Sequence, residues 1–143
     1  MKMLGYLFVY GTLRSECARG AVAELLRRQR LFGPARVRGR LYDLGHYPGA
    51  AIDEESATEV CGQIYELTDE QTLAALDAYE GYHPSDERGS LFLRSETVAA
   101  LDDGRKVPCW IYVYNGDLRN AELIASGDYI EHLRSKLSGG AQR

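Results

Sequence analysis

A chain of 143 residues with a formal net charge of −4 is long enough to bury one core and has the apolar and charged content of an ordinary globular protein. No run approaches the ~20 apolar residues of a membrane span, and the N-terminus shows no apolar signal-peptide core, so a cytosolic protein of one domain over residues 1–138 is expected, with residues 139–143 as a disordered tail. The acidic balance speaks against nucleic acid as the main partner; the basic cluster Arg27, Arg28 and Arg30 reads either as a nucleic-acid patch or as the solvated end of a helix.

The apolar run Leu7-Phe8-Val9 predicts a strand, followed at once by Tyr10-Gly11-Thr12-Leu13-Arg14. Glycine permits a sharp turn and a close approach. A helix start just beyond leaves amide N–H groups unpaired and suited to an anion. The stretch is either an anion-binding turn or a plain strand-to-helix turn. Ser15 to about Arg30 has helical spacing, with Ser15 as a candidate N-cap and Gly20 weakening the first turns. Gly33-Pro34 is expected to end that section.

From Arg36 to Tyr42 arginines alternate with Val37, Gly39 and Leu41, the pattern of a half-buried strand with a bulge or close approach at Gly39. Gly45 to Gly49 reads as a turn, and Ala50-Ala51-Ile52 as a short strand. Glu59 to Leu67 is apolar on both faces, which predicts a central strand. Thr68-Asp69-Glu70-Gln71 has the form of a capping box, opening a helix with Leu73, Leu76 and Tyr79 toward the core and Gly81 at its end. The segment His83–Ser90 is a polar loop. Leu91–Leu101 and Val107–Tyr114 flank Asp103-Gly104, a hairpin signal. Ser126 or Asp128 caps a last helix. Five or six strands and three helices without regular βαβ alternation point to an α+β fold with an antiparallel or mixed sheet.

Cys17, Cys61 and Cys109 form no CxxC, and His46, His83 and His132 are scattered, so a metal is not expected. No nucleophile elbow, phosphate loop or dinucleotide fingerprint occurs. Glu80 is the unusual acid. It sits in the last turn of a helix, where the dipole repels it. Tyr79 and Tyr82 bracket it and could exclude water, which would raise its pKa; otherwise it is a surface acid. Asp77 lies three residues earlier, so on a helix the two acids are expected on neighbouring parts of one face. Tyr112 and Tyr114 share one strand face, as core or as pocket lining.

The ordered set Tyr10-Gly11-Thr12-Leu13-Arg14, Tyr47-Pro48-Gly49, Val60 to Tyr65, Leu76-Asp77 with Glu80-Gly81-Tyr82, Arg94, and Trp110 to Tyr114 resembles the gamma-glutamylcyclotransferase-like family, including the gamma-glutamylamine cyclotransferases. The resemblance implies a small mixed β-barrel of about five to seven strands flanked by helices. It also implies a pocket in which Tyr10, Gly11, Thr12 and Leu13 hold the glutamyl part of a substrate and Glu80 is the acid/base, with Tyr82 or Tyr112 as further substrate contacts. The implied reaction turns a γ-glutamyl amine or peptide into 5-oxoproline and a free amine without a cofactor. The sequence departs from the family at Phe92, where a tyrosine often stands two residues before the arginine. That departure keeps a non-catalytic small-molecule or protein-binding module on the same scaffold as the alternative. A hydrolase or amidotransferase with Cys17 as nucleophile is a third reading, with no histidine placed beside it.

Overall fold

The computed structural model of the chain describes residues 5–11 and 20–141, with side chains as far as residue 137. Thr12, Leu13, the expected cap Ser15 and Cys17 therefore lie outside the described residues.

Strand β1, Tyr6–Val9, is the axis of the fold. It pairs antiparallel with β4, Glu59–Glu66, and parallel with β6, Lys106–Tyr114. The remaining barrel strands are β2, Arg30–Asp43, and β5, Phe92–Leu101. β4 pairs with β2, β6 with β5, and β5 returns to β2 through Ala35 and Arg36, so five strands close a barrel. The far end of β2 continues out of the barrel and pairs with β3, Pro48–Ile52, and with β7, Glu122–Leu123. Among the described residues three helices flank it: α1, Gly20–Arg27; α2, Glu70–Tyr79; and α3, Tyr129–Ala141. This is the α+β barrel that the resemblance implies. None of the described helices is long and apolar enough to cross a membrane.

β1 is buried on both faces, which is why it reads as an unbroken apolar run. Phe8 and Tyr10 point into the barrel with Val37, Val60, Ile64 and Ile111. Leu7 and Val9 point outward into a second core with Leu26 of α1, Leu76 of α2 and Tyr112. Gln29 locks the two helices together. Its Nε2 donates to the Leu25 carbonyl at 3.0 Å and to Thr72 Oγ1 at 3.1 Å, and its Oε1 accepts the Thr68 N–H at 2.7 Å.

Several expectations change in detail. The first helix ends at Arg27, and Arg30 already belongs to β2. Gly33-Pro34 does not break the chain. The β2–β4 register shifts between Leu31 and Gly33, and Gly33 adopts φ 137°, so the pair makes a bulge within a long strand. Gly39 is a close approach, since a Cβ there would meet the Ala51 carbonyl oxygen. Pro48 and Gly49 open β3 rather than closing a turn; Pro48 takes the first strand position, where a missing N–H is tolerated. The N-cap of α2 is Asp69, whose Oδ1 accepts the Thr72 N–H at 2.7 Å, because Thr68 is held by Gln29. Tyr79 does not face the core and is half exposed. Asp128, not Ser126, caps α3 by accepting the Ile130 N–H at 3.0 Å. β7 is two residues long and carried no readable pattern.

Candidate active site

Helix α2 delivers Glu80 to the end of the barrel. The helix stops there because Gly81 takes φ 71°, a left-handed conformation that glycine adopts without a Cβ penalty. The Glu80 N–H donates to the Leu76 carbonyl at 2.9 Å, and the Tyr82 N–H reaches back to the Asp77 carbonyl at 2.9 Å. The backbone under Glu80 is thus fixed on both sides, while its side chain borders a cavity of about 340 Å³.

The same cavity is lined by Tyr10 and Gly11, which follow β1, and by Tyr112 of β6. Four of the residues singled out in the sequence therefore meet in one place. Tyr82 does not join them. Its ring lies under the Arg94 guanidinium at 5.6 Å, and its hydroxyl donates to Glu87 Oε2 at 3.3 Å. Thr12 and Leu13 lie outside the described residues. His46, Tyr47, Pro48, Tyr79, Leu91 and Phe92 complete the lining, with the Tyr47 and Phe92 rings packed together at 5.8 Å. Tyr47 and Pro48 were legible only through the resemblance, and Tyr79 through its place beside Glu80 in the chain; His46 and Leu91 carry no pattern that places them at a pocket. The polar loop 83–90 contributes no lining residue. It folds on itself instead, with Ser90 Oγ accepting the His83 N–H at 2.8 Å and donating to the Asp86 carbonyl at 2.9 Å.

Burial raises the Glu80 carboxyl from the usual 4.5 to about 7. No neighbouring anion is needed to explain the rise; the carboxylate simply loses water. Asp77, although near in sequence, faces elsewhere. Its Oδ1 accepts the Tyr112 hydroxyl at 2.7 Å and lies 2.9 Å from Arg94 Nε. Arg94 is also stacked 4.4 Å from the Trp110 ring centre. Burial, and then the Asp77 hydrogen bond, push the Tyr112 hydroxyl far above its usual range, so it stays a donor. Tyr10 is equally committed: its hydroxyl donates to the Tyr112 carbonyl at 2.6 Å and accepts the Ala50 N–H at 3.1 Å. Both tyrosines thus offer the cavity ring surface, and their hydroxyls tie the β1 turn, β3, β6 and α2 into one frame. Tyr112→Phe leaves the buried Asp77 carboxylate short of a donor, so a loss of about 1–3 kcal/mol in urea unfolding is expected; a change under a few tenths contradicts this.

Phe92 fills the place of the family tyrosine. It is buried between Tyr47 at 5.8 Å and Tyr114 at 5.6 Å, centre to centre, so the position packs the wall without a hydroxyl.

Among the described residues one cluster, Asp43, Glu122 and His132, brings three potential metal ligands together. Lys136 Nζ lies 3.0 Å from Asp43 Oδ2, and His132 Nε2 lies 2.8 Å from the same atom. The Asp43 charge is therefore met by protein groups that pin α3 to β2, away from the cavity.

The family model described as Gamma-glutamyl cyclotransferase, AIG2-like, matches residues 7–131. The chain belongs to this family. A protein of Halalkalibacterium halodurans is 37% identical over 103 residues, which are 71% of this chain and 87% of its own. The gamma-glutamylcyclotransferase family protein YtfP of Escherichia coli K12 is 31% identical over 126 residues, 87% of this chain and 96% of its own. Among solved structures, YkqA from Bacillus subtilis superposes with a TM-score of 0.70 at 29% identity; the match covers 94% of this chain but 42% of that one. The gamma-glutamyl cyclotransferase match runs from β1 through the first turn of α3, so it includes every cavity-lining residue.

Proposed function

We propose that the chain is a γ-glutamyl cyclotransferase, releasing 5-oxoproline and an amine from a γ-glutamyl amide, with Glu80 as acid and base. The observation that carries this reading is a carboxyl raised to about 7 in the cavity that the Tyr10-Gly11 turn also lines. A carboxyl near neutrality exists in both forms at working pH, which suits a group that must take a proton and return it.

The substrate α-ammonium has no lone pair. Glu80, ionised, removes one proton; the freed nitrogen attacks the γ-carbonyl carbon and closes a five-membered ring. The bond from that carbon to the amide nitrogen then breaks. Of the three ammonium protons, one stays on the lactam nitrogen and two end on the departing amine, delivered through Glu80. Attack within one molecule gains from orientation alone, so holding the bent conformer supplies much of the rate. Amide N–H groups at the turn after β1 steady the developing oxyanion. Tyr10 and Tyr112 hold the wall rather than moving protons, because their hydroxyls are already paired. The step is redox-neutral and is assigned no cofactor.

The test is the pH dependence of kcat/KM. The ionised form of Glu80 starts the reaction, so the rate rises with pH through an apparent pKa near 7. A limb near 4.5, the ordinary glutamate value, would remove the desolvated carboxyl from the mechanism.

A further inference from the structure

The cavity lining carries two exposed, largely apolar side chains. Tyr79 is 50% exposed and Leu91 43% exposed, and both line the cavity. They flank Glu80. Tyr79 precedes it in the chain, and the Leu91 N–H donates to the carbonyl of Gly81, the next residue, at 2.9 Å. The Leu91 carbonyl accepts the Asn115 N–H at 3.1 Å. Leu91 is therefore held by its backbone on both sides while its side chain stays in the open. Two such side chains, one fixed by its backbone, at the rim of a cavity mark a surface that a ligand covers.

The chemistry fixes which part of the ligand lies there. The carboxyl that returns a proton to the departing nitrogen must reach that nitrogen, so its substituent runs outward from Glu80, past Tyr79 and Leu91. Tyr47 and His46 line the same cavity. Among the described lining residues Glu80 is the one carboxyl, and there is no lysine or arginine. A carboxylate on the leaving group would meet the Glu80 charge with no lysine or arginine among the described lining residues to offset it, and it would lose water against leucine and tyrosine.

We propose that Tyr79 and Leu91 are specificity-determining residues that select an uncharged hydrophobic leaving amine, branched alkyl or aryl, over an amino acid. The proposal rests on the cyclotransferase reading. It is tested by comparing kcat/KM for γ-glutamyl isopentylamide and benzylamide with that for γ-glutamylglycine and ε-(γ-glutamyl)lysine, in the natural protein and in Leu91→Ser and Tyr79→Ser. Both side chains are exposed, and thermal unfolding of each variant checks that it folds. The expected result is a preference of about tenfold or more for the two hydrophobic amides, which shrinks several-fold in each variant. Turnover of the glycine or lysine amide as fast as the hydrophobic ones, or a preference unmoved in both variants, overturns the proposal alone, since 5-oxoproline is still formed. No 5-oxoproline from any of the four amides overturns the cyclotransferase reading and this proposal with it.

Discussion

Glu80→Gln is expected to lower kcat for 5-oxoproline formation by about 10²–10⁴-fold, the usual worth of a positioned acid/base. Glutamine keeps the shape of the side chain and cannot accept the proton. The same variant has a second signature. The folded carboxyl is raised from 4.5 to about 7, so the folded state holds its proton more tightly than the unfolded chain does. Its contribution is fully present below about 4.5 and is lost as pH rises through about 7. At about 1.4 kcal/mol per pH unit the rise bounds that loss at roughly 3 kcal/mol, less whatever water in the cavity screens. Glu80→Gln removes this part of the pH dependence. Urea unfolding at pH 5 and pH 8 therefore shows a smaller difference in the variant than in the natural protein, in the direction of a more stable variant at pH 8. A variant that loses activity while keeping the full pH slope would place the raised carboxyl elsewhere.

Gly11→Ala is expected to cut kcat/KM by about 10²-fold. A Cβ at this position would stand 2.5 Å from Pro48 Cγ and 2.9 Å from Pro48 Cδ. The proline ring cannot swing clear, because Pro48 is buried and begins β3 opposite Asp43. The turn must move instead, and a displacement near 1 Å in a group that positions substrate costs about 10²-fold. Overpacking of this kind also costs about 1–3 kcal/mol of stability. Pro48→Ala in the same chain removes the obstructing ring atoms, and the double variant recovers part of both losses. Full activity in Gly11→Ala contradicts the close packing of turn and wall.

Much of the site was readable because it breaks local rules. An acid at a helix C-terminus, against the dipole, drew attention to Glu80, and a glycine between a strand and a helical pattern drew attention to Gly11. The order of the elements was readable from alternation at Arg36–Tyr42 and from the Asp103-Gly104 hairpin. What escaped depends on contacts distant in sequence. Nothing local says that Pro48 lies on Gly11, or that the Tyr10 hydroxyl is consumed by Tyr112 and Ala50. Thr68 has the chemistry of an N-cap, yet Gln29, thirty-nine residues earlier, takes it, and Asp69 caps the helix instead. Tyr82 stands beside Glu80 in the chain, but Gly81 reverses the backbone between them, and the ring goes to Arg94. Asp77, three residues before Glu80, is held instead by the Tyr112 hydroxyl and Arg94, both far away in sequence.

The most direct test of the central claim is the fate of the γ-carbonyl in water enriched in oxygen-18. The purified chain is incubated with γ-glutamyl isopentylamide, and the products are weighed by mass spectrometry. Ring closure by the substrate's own amine yields 5-oxoproline without the heavy oxygen, in equal amount to isopentylamine, and this is the expected result. Glutamate carrying one oxygen-18, the product of attack by water, would contradict it.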